Sequence, residues 1–528
     1  MIDIPYFADL HCHPTMKPFR QVPQANIFDN IDTQGACQEL NWLTRPAAKN
    51  IVKVSQTNIM KCQQGKLRLM FASIHAPERK FFDLKDWVEF MLEFSANDQT
   101  VKLGVCMTGF DRSVVEGYID AHRKNKDQAI HYFDETQREY EYLVMQAKQN
   151  ECVDIAGDYE ELQRILSTPN SVAIIPTIEG MHSLAIFTNF EQQNLSFDQV
   201  NDIADPYYQH FATQYQINIG RIKSWGEGKH APFFITFTHY FWNLLCGHAK
   251  SVESFAMSQS FNMDKGFSAL GKVAIHALLS RENGRRILVD TKHMSVASRR
   301  DFYSIWDHYK SQGDSFPIIC SHAALTGKAT LSDLEASYDK GHVLENEYFN
   351  TWSINLCDED VRYIHQSGGL IGLMFHDERM PGGLAKQAIE KAKALPDAQE
   401  RYDQMRNEYL RLWMVNALQA VRAINDVSAW DILCIGSDYD GILNGFDIYE
   451  DVACYPDLQL HLFQYLHNPL PCPFVEGLQT KDAIKKLYFG LTPEQIMEKV
   501  LYKNVDNFMM RYYNDYYLKQ GKAVNLMA

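Results

Sequence analysis

The segment Ile287-Leu-Val-Asp-Thr-Lys-His293, followed by Pro317-Ile-Ile-Cys-Ser-His322, narrows what this chain can fold into. Each is a short apolar, β-branched run that ends in a polar residue and a histidine. Strands buried on both faces of a parallel sheet read as continuous apolar runs rather than as alternation. The pattern recurs at Tyr6-Phe-Ala-Asp-Leu-His11-Cys-His13, Ala173-Ile-Ile-Pro-Thr-Ile-Glu179, Phe233-Phe-Ile-Thr-Phe-Thr-His239 and Ile432-Leu-Cys-Ile-Gly-Ser-Asp438. Lys66 to His75 and Gly368 to Phe375 are two further strand candidates. In α/β barrels the chemistry sits at the carboxyl ends of such strands. Histidines and acids delivered there by successive strands can share a metal, and the set predicts a hydrolytic metal site.

A chain of 528 residues accommodates two or three ordinary domains or one large barrel with insertions. Its 46% hydrophobic content is ample for a core, and its formal net charge of −15 argues against nucleic acid, which is met by basic stripes. No window approaches the roughly 20 apolar residues of a transmembrane helix. The first apolar run already ends at His11, leaving no room for a leader ahead of it. The expectation is a cytoplasmic protein, unless a leader was removed before Met1. Eleven cysteines are scattered singly with no C-x-x-C pair, which gives a zinc ribbon no support. Cys320 and Cys434 lie inside strand runs, so reduced core thiols are expected.

Between the strands, Tyr140 to Gln149 has a helical pattern and Val101 to Met107 reads as a strand. Residues 195–230 are aromatic and polar without clear period, as an insertion over the site would be. Residues 384–426 form a charged helical region interrupted at Pro396, with Tyr409 to Ile424 amphipathic; the charged 384–408 part reads as a solvated face. Near the end, Thr492 is an N-cap, Pro493 opens the first turn and Gln495 completes a capping box. Strands alternating with helices favour one parallel α/β barrel.

In order along the chain, Asp9-Leu-His-Cys-His-Pro14, Ile178-Glu-Gly-Met-His-Ser-Leu184, Phe237-Thr-His239, Val289-Asp-Thr-Lys-His-Met-Ser295, Ser321-His322 and Gly436-Ser-Asp-Tyr-Asp-Gly441 resemble the membrane (renal) dipeptidase family, peptidase family M19. That family lies within the amidohydrolase superfamily of (β/α)8 TIM-type barrels. The tail from Leu491-Thr-Pro-Glu-Gln to Asn504-Val-Asp-Asn-Phe508 also looks like the family's last helices. The resemblance covers nearly the whole chain. It implies a single metal-dependent hydrolase barrel over 1–528, with insertions near 80–150, 195–230, 326–350 and 376–408.

The resemblance further implies two divalent metal ions, usually Zn2+, and a dipeptide or similar small-molecule substrate. His11 and His13 would bind the first ion, His293 and His322 the second, and Glu179 would bridge them. Asp438 would carry the proton from the attacking water to the leaving amine, and His239 would donate to the oxyanion. Such chemistry needs these groups: imidazole suits zinc, and a carboxylate can bridge two ions. No nucleic acid and no transmembrane segment are expected, and a homodimer is the candidate assembly.

Two positions depart from the family. Its first motif usually reads His-x-Asp, and His13 puts a neutral imidazole where an anion stands, which leaves metal identity open. Its substrate-gripping arginine falls at Ile354, which cannot form a bidentate carboxylate clamp. Lys328 and Lys340, in the insertion ahead of it, are candidate replacements. Three functions therefore stay open: amide hydrolysis of a dipeptide, hydrolysis of an N-acyl amino acid, lactone or phosphoester on the same metals, and a catalytically silent ligand-binding relative. His75 and His182 are read as structural, and Asp440 as holding a loop.

Overall fold

The computed structural model describes residues 4–520, apart from 43, 50, 83–98, 125–127, 252–257, 339–344 and 443. Eight strands form in chain order: β1 (Phe7–Cys12), β2 (Leu67–Ile74), β3 (Val172–Glu179), β4 (Phe234–Thr236), β5 (Leu288–Asp290), β6 (Ile319–Ala323), β7 (Leu370–Leu373) and β8 (Leu433–Ile435). Each pairs in parallel with the next, and β8 returns to β1, where Asp9 faces Ile435. The ring is a closed parallel barrel, as the apolar runs predict. All eight residues of β3 are buried, which is why no alternation marks it. A short strand, Val153–Ile155, lies beside the first residues of β3.

Two glycines let the backbones of β6, β7 and β8 approach closely beneath the site. A Cβ on Gly372 or on Gly436 would lie 1.9 Å from the carbonyl oxygen of Ser321. Helices return outside the ring, among them Tyr132–Gln149, Ala269–Leu279, Val296–Ser311, Asp358–Ser367 and Ala398–Ile424. Polar caps start several of the chain's helices. Asp158, Ser268, Ser295, Asp397 and Thr492 each accept a first-turn backbone N–H, and Thr492 and Gln495 form the expected capping box.

Four expectations need correction. Val101 to Met107 lies in a helix, Gln99–Thr108. Val101 and Val105, one turn apart, pack on Met16 and Phe110, while Leu103 and Met107, also one turn apart, pack on Cys37 and Leu40. Two apolar stripes at helical spacing, each with its own partner, mimic a strand's continuous run. Residues 195–230 contain the helix Pro206–Lys223, begun by Asp205 and Pro206. Its buried stripe of Phe211, Tyr215, Ile219 and Ile222 has helical spacing that the exposed Tyr207 and Ile217 obscure.

Cys37 and Cys106 are not reduced thiols but a disulfide, with Cα atoms 4.9 Å apart and a sequence separation of 69. Their meeting depends on the helix Gln99–Thr108 packing beside Gln34–Gln38, a contact no local pattern encodes. The other nine cysteines are free, and Cys320 and Cys434 are buried. Finally, the helix through Tyr409 to Ile424 is not simply amphipathic. Every residue from Leu412 to Val421 is buried, and Asp358–Ser367, Gly383–Lys393 and Tyr455–His467 all pack against this helix.

Candidate metal centre

The carboxyl ends of the strands bring together every histidine and acid named from the motifs. Glu179 ends β3 and stands at the middle. Its Oε2 lies 3.1 Å from His13 Nε2 and 3.6 Å from His239 Nε2. Its Oε1 lies 3.5 Å from His11 Nε2, 3.5 Å from His293 Nε2 and 3.7 Å from His322 Nε2. Asp438, just past β8, faces the same imidazoles, 3.7 Å from His11, 3.8 Å from His13 and 4.0 Å from His322. The backbone is strained to achieve this: His293 and Asp438 adopt φ of +66° and +60°.

Neighbouring groups aim the rings. His13 Nδ1 sits 3.0 Å from the Ser73 carbonyl, so Nδ1 carries the proton and Nε2 presents its lone pair inward. Asp290 accepts the Ser321 hydroxyl proton at 2.6 Å, which leaves Ser321 Oγ to accept from His322 Nδ1 at 2.9 Å. His322 therefore also offers an unprotonated Nε2. Asp9 plays a similar supporting part under β1, accepting from the His11 and Ser437 backbone N–H groups and from the Tyr455 hydroxyl.

Electrostatics separate the two central carboxylates. Burial alone would raise Glu179, but His239 and His11 hold it well below the usual carboxylate range. Burial pushes Asp438 up, and the nearby Glu179 charge adds to the rise while His11 and His13 oppose it. Glu179 thus stays an anion while Asp438 is drawn toward carrying a proton. Burial is also the main reason that Lys292, beside the site, is lowered to about 8.

The donor set fits divalent metal. His11 with His13 and Glu179, and His293 with His322 and Glu179, form buried groups whose ligand atoms lie within 4.8 Å of one another. Atoms coordinated about 2.0–2.1 Å from a tetrahedral ion stand about 3.3–3.5 Å apart. The separations between Glu179 and its four histidines cluster there, and several exceed ordinary hydrogen-bond length. Among the described residues His11 Nδ1 and His293 Nδ1 have no hydrogen-bond partner, whereas His13 Nδ1 and His322 Nδ1 each have one.

Other residues enter the site that the sequence reading did not place there. His75, read as structural, brings its ring to Glu179 and His239 as a further potential ligand group, while its Nδ1 lies 3.0 Å from the Glu179 carbonyl. Its strand-end position was the available signal. His182 keeps a backbone role, with Nε2 2.7 Å from the Ala76 carbonyl. Glu78 accepts from His239 Nδ1 at 2.7 Å and from the Tyr240 and Phe241 backbone N–H groups. Nothing in Ala76-Pro-Glu78 marks it locally.

Asp440 holds a loop as expected, accepting from Lys17, from the Gln56 backbone and from the Thr57 backbone and hydroxyl. Ile354 is buried. Lys328 is occupied by Glu347 at 3.0 Å, which removes it as a spare cation, and Lys340 lies outside the described residues. Among the described residues, no helix is long and apolar enough to cross a membrane.

No family model and no curated protein matches the chain. Solved structures do. One is a metallo peptidase from Rhodobacter sphaeroides liganded with a phosphinate mimic of the dipeptide L-Ala-D-Ala, 12% identical, covering 96% of this chain and 99% of that one at a TM-score of 0.48. Another is the dipeptidase AC, a metallo peptidase of family M19, 12% identical over 96% and 99% of the two chains, with a TM-score of 0.47. An amidohydrolase from Pseudomonas aeruginosa is 12% identical over 85% and 90%, with a TM-score of 0.42. The solved structures similar to this chain thus include a member of the family that its motifs resemble.

Proposed function

We propose that this chain is one barrel domain that acts as a binuclear metal-dependent hydrolase, cleaving an amide bond in a dipeptide or related small molecule. One observation carries the reading: a single ionised carboxylate, Glu179, is shared by two histidine pairs from opposite sides of the barrel mouth. That is the arrangement two divalent ions with a bridging ligand require. His11 and His13 would hold one ion and His293 and His322 the other, with zinc the metal best suited to four imidazoles. Divalent ions bound there would polarise the scissile carbonyl and acidify water near neutral pH.

The remaining work falls to the chain. Asp438, drawn toward protonation and reaching over the imidazoles, takes the proton of the attacking water. The water oxygen bonds to the carbonyl carbon, the C–N bond breaks, and the Asp438 proton passes to the leaving nitrogen, giving an amine and a carboxylic acid that releases its remaining proton to solvent. His239 stabilises the developing oxyanion from Nε2. Its Nδ1 proton is already given to Glu78, so Nε2 can donate only while the ring is an imidazolium. Glu78 and Glu179 favour that form: together they raise His239 although burial lowers it.

Elemental analysis of zinc-reloaded protein should find about two ions per chain. His322→Ala should lose mainly one. Turnover should appear on a panel of L-D and L-L dipeptides, N-acyl amino acids and lactones, with dipeptides preferred. Fewer than one ion per chain, or full metal content with no turnover on the panel, would overturn the reading; lactones preferred over amides would move it to the second class of substrate.

A further inference from the structure

The loop after β7 carries a buried guanidinium with nothing to bind. Arg379 is 6% exposed, and among the described residues its side chain makes no hydrogen bond or ion pair; its Nη1 is fully buried and unpartnered. The Trp352 ring lies 5.3 Å from the guanidinium carbon. A buried cation without a counter-ion is costly, because removal from water is not repaid by a partner.

The groups around it repeat the deficit. His376 Nδ1 accepts the backbone N–H of Glu378 and of Arg379, at 3.0 and 3.3 Å. That acceptance leaves the His376 proton on Nε2, a buried donor with no acceptor. The indole N–H of Trp352 is also buried and unpartnered. Lys292 lies close enough to act electrostatically on His376, as Arg379 does. Among the described residues these donors have no acceptor: Asp377 Oδ1 and Asn355 Oδ1, buried near them in the chain, are themselves without a hydrogen-bond partner.

The cluster is anchored and adjoins the metal centre. Asn355 donates to the Arg379 carbonyl at 2.8 Å, and Asn350 to the Glu378 carbonyl at 2.9 Å, fixing the loop. Arg379 acts electrostatically on Tyr240, as do Asp438 and Glu179, and the Tyr240 ring lies 5.3 Å from that of His293. Arg379 and the metal centre thus act on a common neighbour, Tyr240.

We propose that Arg379 is a specificity-determining residue, binding a carboxylate of the substrate from the loop after β7 with the Trp352 and His376 N–H groups beside it. This rests on the amide-hydrolase reading. It answers the loss of an arginine at Ile354 with a guanidinium from a different strand end. The substrate class is accordingly an amide that carries a free carboxylate, whether a dipeptide or an N-acyl amino acid.

The test compares the metal-loaded full chain with Arg379→Met and Arg379→Lys, using dipeptides as free acids and as C-terminal amides. The acid-over-amide ratio in kcat/KM should fall about tenfold or more in Arg379→Met, mainly through KM, and less in Arg379→Lys. A ratio unchanged in folded Arg379→Met overturns the proposal. Should that variant not fold, wild type decides: an acid-over-amide preference below about twofold overturns it as well. Calorimetry with a reduced-bond dipeptide analogue, as acid and as amide, reads the same ratio without turnover. Acid-selective binding with no hydrolysis of any substrate would keep the Arg379 site while sinking the hydrolase reading.

Discussion

Two tiers of carboxylates lie at the carboxyl end of this barrel, and they differ in what satisfies them. In the supporting tier, Asp9, Asp290 and Asp440 have their oxygens filled by backbone N–H groups, hydroxyls or a lysine. In the facing tier, Glu179 and Asp438 look onto imidazole nitrogens. Burial alone does not separate them, since Glu179 is about as buried as the supporting three while the Asp438 side chain is 16% exposed. A carboxylate whose lone pairs are spent on protein donors holds structure; one that faces convergent imidazoles is free for a metal or a proton.

The sharpest way to break the contrast is at its centre. Glu179→Gln removes the charge that the two histidine pairs share, so metal content should fall from about two ions to one or none and turnover should be lost. Metal analysis with a parallel activity assay checks this, and two tightly held ions in the variant would dissolve the distinction. Asp438→Asn should act next most strongly, lowering turnover roughly a hundredfold or more while leaving metal content nearly intact. Equal loss of metal would make Asp438 chiefly a ligand.

The smallest effect belongs to the supporting tier. Asp440→Asn should leave the metals in place but lower stability by about 1–3 kcal/mol, because it strips a charged acceptor from Lys17 and Thr57. Lys17 and the surrounding donors hold the Asp440 carboxyl below its usual range although burial alone would raise it. A depressed value in the folded state means that the unfolded chain takes up the proton first as pH falls. The stabilisation is complete above the ordinary carboxylate value of about 4 and drains away below it. Melting curves of wild type and variant should therefore converge as pH drops from about 5 toward 2, and a gap that widens instead would assign Asp440 a different role.

The strands, and the acids and histidines at their ends, were legible because each rests on a pattern a few residues long. Ala173 to Glu179 and Ile287 to His293 announce both the strand and the group it delivers. Glu78 and Arg379 were not legible. Each sits in an ordinary loop and matters through partners distant in sequence: His239 in one case, Trp352 and Asn355 in the other. The disulfide between Cys37 and Cys106 belongs with them, since its two halves meet only after their helices pack.

By itself the sequence determined where the eight barrel strands run and which histidines and acids follow six of them. Hydrophobic periodicity and side-chain type are local properties, and a barrel turns local strand ends into one site by closing on itself. The tertiary structure alone decided which carboxylates are spent and which remain free, which tautomer His13, His322 and His376 present, and that a guanidinium from the loop after β7 is buried against Trp352. Those outcomes are set by distances of about 3 Å between residues far apart in the chain, the range over which a hydrogen bond is made or lost.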